Sequence, residues 1–416
     1  MRRAATRTRR RPGARASKRA GFGLATAGAG AVSSAALAPA AHAEGVQDQQ
    51  WYLDAMQIPK VWKVSTGEGM TVAVVGTGVD RSTTTLLGQV LPAKTFVEAP
   101  GDETKDGNGH GATAAEIIAG TGRNGTLKGL APDVRILPFR AGLEGIKDVK
   151  RGTLGGEDEA ARAAADSEAN IIYLAFNAVP GAEMEEALNY ATRKGELLIA
   201  PAGDDGSSGN SMSGILPSAH PNVATVAASG KDSKVSEFSS YGDTISLSAP
   251  GEQLPSWCDA KREQYCSDAY STTYSAAIAS GAAALVWARH PHWTANQVLR
   301  VLLKKAGRAD HKQSAPSRYI GYGAVRPRIN LLEGEGKPGD PVTHPLTGKK
   351  VKKSSPEFQD RKPAQANDAD TEGHKQATDS TAGGGGSNSV LPLVAVGAGV
   401  VVAAGCVVAA VRLRRN

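Results

Sequence analysis

The 416-residue chain is poor in cysteine, lacks any internal repeat and loses its excess of positive charge once its two ends are set aside. Each shortage excludes a class of protein. Three cysteines, at positions 258, 266 and 406, allow one pair and no cysteine framework. No second histidine stands at a ligand-like spacing from His110, so zinc has no support and neither a metal nor another cofactor is expected. The formal charge is +7, yet residues 2–19 alone carry nine Arg/Lys and no acid; without them residues 44–416 stand at −2, and without Arg412, Arg414 and Arg415 residues 44–411 stand at −5. The basic balance therefore belongs to the ends, and nucleic-acid binding is excluded.

Those ends read as addressing segments. The basic start is followed by an Ala- and Gly-rich stretch and by Ala41-His42-Ala43, a small-x-small cleavage site, which predicts a signal peptide over residues 1–43. Arg9-Arg10-Arg11 hints at twin-arginine export, but the general route is favoured because no Phe-Leu-Lys-like element follows. At the other end Val390 to Val411 contains no charge. As a helix it would be about 33 Å long, enough to cross a bilayer. The arginines of residues 412–416 then predict a cytoplasmic tail and an extracellular main domain on the cell membrane. Exported, oxidising surroundings would let Cys258 and Cys266, eight residues apart, form a disulfide; Cys406 falls in the span.

Between these ends, Val72-Ala73-Val74-Val75 is apolar throughout, as a strand buried on both faces should be. Further strands are expected at 93–97, 134–138, 171–176, 197–200 and 223–228, and helices at 111–119, 157–167 and 184–194. This alternation predicts an α/β layered fold with a mostly parallel sheet flanked by helices, over residues 44–332. Residues 333–389 lack aliphatic periodicity, end in four consecutive glycines (383–386) followed by Ser387, and predict a disordered stalk.

Four blocks carry chemistry. Thr71 to Asp80 reads Thr-Val-Ala-Val-Val-Gly-Thr-Gly-Val-Asp, and Asp106 to Gly120 reads Asp-Gly-Asn-Gly-His-Gly-Ala-Thr-Ala-Ala-Glu-Ile-Ile-Ala-Gly. Ile199 to Gly206 reads Ile-Ala-Pro-Ala-Gly-Asp-Asp-Gly, and Ser271 to Val286 reads Ser-Thr-Thr-Tyr-Ser-Ala-Ala-Ile-Ala-Ser-Gly-Ala-Ala-Ala-Leu-Val. Together they resemble the acid, histidine, oxyanion and nucleophile blocks of subtilisin-like serine proteases, in that family's order of Asp, His and Ser. With Gln50-Trp51-Tyr52-Leu53, the polar stalk and the terminal span, the architecture resembles mycosins, the membrane-anchored subtilases associated with type VII secretion.

The resemblance can be carried over residue by residue. His110 matches the base. Gly76 stands at the acid position, where a glycine has no side chain to orient an imidazole. Asp80 closes the same motif and reads as a turn or capping residue, and Asp106 as scaffolding before the histidine. Thr273 stands at the nucleophile position; it keeps a hydroxyl but adds a methyl that stiffens χ1. Ser271 and Ser275 are each two residues away, about 200° around a helix. Asp204 stands where the family asparagine donates to the oxyanion, a contribution of about 2.7 to 4 kcal/mol in subtilisin. An ionised carboxylate cannot donate. Tyr173-Leu-Ala-Phe-Asn177 replaces the family's Asn-x-Ser-Leu-Gly, placing Ala175, Phe176 and Asn177 at the substrate cleft.

The resulting expectation is a catalytically inactive, membrane-anchored pseudoprotease with a structural or peptide-binding role. Its partners would be a peptide or secreted protein and the membrane components of a type VII secretion system. The alternative is a serine-type endopeptidase working weakly through Thr273 and His110.

Overall fold

The computed structural model describes residues 45–351, apart from 93, 98–104, 143–155, 179, 210–214, 259–260 and 309–314. The expected signal peptide, the stalk beyond residue 351, the span at 390–411 and the tail at 412–416 lie outside the described residues. Among the described residues no helix is long and apolar enough to cross a membrane.

Two short helices, α1 (Trp51–Ala55) and α2 (Ile58–Val61), precede the first strand, β1 (Thr71–Gly76). There follow β2 (Lys94–Thr95), α3 (His110–Ala119), β3 (Arg135–Arg140), α4 (Glu157–Ala165), β4 (Ile171–Leu174), α5 (Ala182–Lys194), β5 (Leu197–Pro201), β6 (Ala224–Ser229) and β7 (Ile245–Pro250). The seven strands form one sheet in the order β2-β3-β1-β4-β5-β6-β7. All its pairings are parallel.

Successive residues of the strands face opposite sides, so an apolar run feeds two cores at once. Val72, Val74, Ile171, Tyr173 and Ile199 pack with α3 and a long central helix, α6 (Thr272–Arg289). Their neighbours Ala73, Val75, Ile172, Leu174 and Leu198 pack with α4 and α5 on the other face. Nearly every residue of α6 is buried, which is why its sequence is Ala-rich and apolar on all sides. The expected strands and helices are all present, with ends shifted by a few residues.

Three features were not anticipated. An antiparallel hairpin, β8 (Leu254–Trp257) and β9 (Tyr265–Ala269), leads straight into α6 and is bridged by Cys258–Cys266, the expected disulfide. After α6 come α7 (Ala295–Lys304) and α8 (Pro327–Leu331). Finally, the domain does not end at Leu332, because residues 333–351 form a strap along α7. Arg300 donates through Nη1 to the carbonyls of Pro338 (2.5 Å) and Asp340 (2.8 Å) and through Nη2 to that of Thr343. Thr294 and Asn296 both donate to the carbonyl of Pro341. His344 is 5 % exposed, close to the start of β5. The polar composition that predicted a stalk from Glu333 is here satisfied by backbone carbonyls meeting one buried guanidinium, a pairing that periodicity does not register.

Candidate active site

In open parallel α/β sheets, sites form beyond the carboxyl ends of the strands. Gly76, Ala175 and Asp204 stand at or just past the ends of the adjacent strands β1, β4 and β5. His110 opens α3, and Ser271 is the N-cap of α6. A cavity of about 440 Å³ is lined by His110, Asp204, Trp257, Tyr270, Ser271 and Tyr274, among others.

At Gly76, the residue expected at the acid position, there is no side chain and the space for one is tight. A Cβ on Gly76 would stand 3.2 Å from the Cβ of Ala175 and 3.4 Å from its carbonyl oxygen. The carbonyl of Gly76 accepts from the N–H groups of Ala141 and Gly142, both at 2.9 Å. Asp80 does not replace it. Its Oδ1 accepts from the N–H (2.8 Å) and hydroxyl (2.6 Å) of Ser82, and its Oδ2 pairs with Arg262. Burial pushes the Asp80 carboxyl up, but those bonds and the Arg262 charge outweigh it and hold it below the usual range. Asp106 is buried and fixes the start of α3, accepting from Thr77 Oγ1 at 2.9 Å and from the N–H of Ala112 at 2.8 Å. The packing here is tight: a Cβ on Gly111 would lie 2.0 Å from the carbonyl oxygen of Gly78.

His110 is exposed, and its ring stands edge-on to Tyr274 with centroids 6.3 Å apart. Its ring partner is Asn108, two residues upstream. Asn108 Oδ1 accepts from the backbone N–H of His110 at 3.0 Å, which turns Nδ2 of the same amide toward the ring, 3.2 Å from Nδ1. An amide nitrogen only donates, so Nδ1 accepts and the neutral ring carries its proton on Nε2. A triad base needs the opposite arrangement, with the proton on Nδ1 and the lone pair on Nε2.

The region where the resemblance expects the oxyanion donor is occupied by the chain's own groups. Asp204 Oδ1 accepts from the N–H and the hydroxyl of Thr272, each at 2.8 Å, and Oδ2 accepts from Ser271 Oγ at 2.8 Å. Ser271 Oγ in turn accepts from the N–H of Thr273 at 3.0 Å. The first N–H groups of α6 and the positive end of its dipole thus already face a carboxylate and a hydroxyl. The backbone donor of residue 273 is bonded within the helix cap. Thr273 does not line the cavity, and its carbonyl accepts from Tyr173 Oη at 2.9 Å. Burial, with smaller contributions from Tyr274 and Asp204, pushes the Tyr173 phenol well above its ordinary value, so it remains a donor. Burial likewise pushes Tyr274 up to about 12.

The expected cleft residues separate. Ala175 packs toward Gly76, Phe176 is buried in the second core, and Asn177 is exposed; none of the three lines the cavity. Strand alternation sends Phe176 away from the cleft, which corrects the expectation that it forms the wall. The wall comes from the disulfide hairpin instead, through Trp257, Cys258, Cys266 and Asp268. Sequence reasoning also missed the part of Asn108 and the capping by Ser271. The Asn-x-His spacing and a serine directly before a helix were the available signals. Among the described residues no cluster of three metal-ligating side chains occurs.

Residues 67–323, more than half of the chain, match the model of the subtilase family. The chain belongs to that family. This subtilase is 32% identical over 202 residues to thermitase of Thermoactinomyces vulgaris, covering 48% of this chain and 69% of that protein. It is 28% identical to mycosin-1 of Mycolicibacterium smegmatis over an alignment of 331 positions, covering 67% and 72% of the two chains. Its fold superposes on the crystal structure of MycP1 from the ESX-1 type VII secretion system with a TM-score of 0.61 and 26% identity, covering 71% of this subtilase and 89% of MycP1. These likenesses support a subtilase of mycosin type.

Proposed function

We propose that this mycosin-type subtilase is catalytically inactive and works as a structural or peptide-binding component at a type VII secretion system. In this reading it stands outside the cell membrane on the chain beyond residue 351, anchored through residues 390–411, with a peptide or secreted protein as its partner. The observation that carries inactivity is the self-filled oxyanion region. Asp204 and Ser271 occupy the donors that a tetrahedral intermediate would need, and a carboxylate there repels a developing oxyanion. The proton on Nε2 of His110 and the missing carboxylate at Gly76 act in the same direction. The secretion role is supported by the likeness to mycosin-1 and MycP1.

A fluorophosphonate probe applied to the full-length protein in detergent tests the first half. The wild type is expected to stay unlabelled. Labelling at residue 273 is expected only when Gly76→Asp, Ala175→Gly, Asp204→Asn, Ser271→Gly and Thr273→Ser are combined. A wild type labelled at Thr273 contradicts the reading. For the second half, deleting the protein is expected to impair a secretion system while His110→Ala does not, and equal impairment by both contradicts a purely structural part.

A further inference from the structure

Outside the cleft chemistry, the most unusual group in the domain is Glu116. It lies in the second turn of α3, six residues after His110, and is fully buried. Its Oε2 accepts from Tyr265 Oη on β9 at 2.8 Å, and the same phenol oxygen lies 3.3 Å from Thr85 Oγ1. Its Oε1 is buried without a hydrogen-bond partner, as are Trp257 Nε1 on β8 and Nη1 of Arg262 between the two hairpin strands. Trp257 stacks on Tyr265 with centroids 3.8 Å apart, and its backbone N–H donates to Thr113 Oγ1 of α3 at 3.1 Å. The underside of the hairpin thus rests on one buried carboxyl, while its outer residues form the cavity wall and its end runs into Ser271.

We infer that the Glu116–Tyr265 contact is a proton-operated latch that fixes the disulfide hairpin on α3, and that ionisation of Glu116 loosens this wall of the cleft. The charged and titratable groups facing Glu116 are few. Tyr265 approaches from β9, with its phenol raised by burial and by the Glu116 charge, so it donates throughout the physiological range. Arg262 is the nearby cation, but its Nη2 is committed to Asp80 in the loop after β1. Trp257 and Thr83 supply only neutral dipoles. Burial pushes the Glu116 carboxyl up to about 7, and Tyr265, Trp257, Thr83 and Arg262 pull it only part of the way back. The closed hairpin therefore binds the proton more tightly than an opened one, whose carboxyl returns to its ordinary value of 4.5. The proton's contribution to closure is fully present below that value and is lost as pH rises toward about 7. The inference concerns the wall alone and does not depend on what the cleft binds.

Hydrogen-exchange mass spectrometry of the full-length protein between pH 4.5 and 8.5 tests it, with rates corrected for chemical exchange. Protection of the amides of residues 254–257 and 265–269 is expected to fall by up to about tenfold per pH unit to near pH 7 and to level off above it. The sheet amides of β1 and β4 serve as the unchanged reference. Glu116→Gln, which keeps the shape without the charge, is expected to abolish the slope. Tyr265→Phe, which removes the hydrogen bond, is expected to lower protection at acidic pH. A flat wild-type profile, or a slope that survives in Glu116→Gln, overturns the latch. If Glu116→Gln does not fold, unchanged acidic protection in Tyr265→Phe overturns it equally.

Discussion

If Asp204 is a helix cap that has taken over the oxyanion region, removing its charge should weaken the fold without creating turnover. Three hydrogen bonds end on its carboxylate, two from Thr272 and one from Ser271, all at 2.8 Å. Bonds to a charged acceptor contribute about 1.5 to 3 kcal/mol each when sheltered. Asp204 is exposed, so about 1 kcal/mol each is the appropriate scale, with roughly a further 0.5 kcal/mol from the α6 dipole. Asp204→Ala should then cost about 3.5 kcal/mol. Asp204→Asn keeps an acceptor for Thr272 but loses the charge, and should cost about 1 to 2 kcal/mol. At about 2 °C per kcal/mol for a domain of this size, the expected falls in Tm are about 7 °C and 3 °C. Circular-dichroism melts of the three proteins at low and high salt measure this, with the Asp204→Asn deficit shrinking as salt rises. Fluorophosphonate labelling of Asp204→Asn alone should remain absent, because Ser271 still holds the N–H of Thr273. An Asp204→Asn protein as stable as wild type, or more so, would refute the capping argument; one that becomes labelled would show that the carboxylate alone had blocked the chemistry.

Two further predictions concern other parts of the domain. Burial, with the neighbouring His220 and Arg300 charges, pushes His344 down to about 4 from its ordinary 6.5 despite a hydrogen bond to the Asn222 backbone. Its docking is therefore fully stabilising above pH 6.5 and weakens as pH falls toward 4, by about 2 to 3 kcal/mol at pH 4.5. Urea midpoints of wild type and His344→Gln at pH 7.5 and 4.5 should converge as pH drops, and an equal gap at both values would refute the docking. Gly111→Ala should cost about 3 kcal/mol or more, since the new methyl meets a backbone carbonyl at 2.0 Å and cannot be relieved by a side-chain rotation. Its urea midpoint measures this, and a neutral result would mean that the β1–α3 junction is looser than described.

The sheet was legible because its strands are apolar on both faces, and the run from Val72 to Val75 allows no other burial. The four motif blocks lie at strand ends and helix starts. What escaped were relations between residues that are neutral in any linear pattern. Nothing about Ala175 announces that its methyl crowds the space beside Gly76, and nothing about Asn108 announces that its amide faces Nδ1 of His110. Phe176 was assigned to the cleft from motif alignment, whereas strand parity buries it on the opposite face. The strap at 333–351 was hidden because its hydrogen bonds join backbone carbonyls to Arg300, and backbone groups leave no trace in composition.

That strap has a mechanical meaning. His344 and Val351 lie beside Leu197, the first residue of β5, whereas Asp204 follows its last residue. Strand β5 is about 16 Å long at about 3.3 Å per residue, so the described chain leaves the domain at the pole opposite the cavity. A pull on the chain beyond Val351 is taken up by the Arg300 clasp and by α7, several bonds in parallel, before it reaches the sheet. The cavity, at the far pole from Val351, would then stay undistorted under such a load.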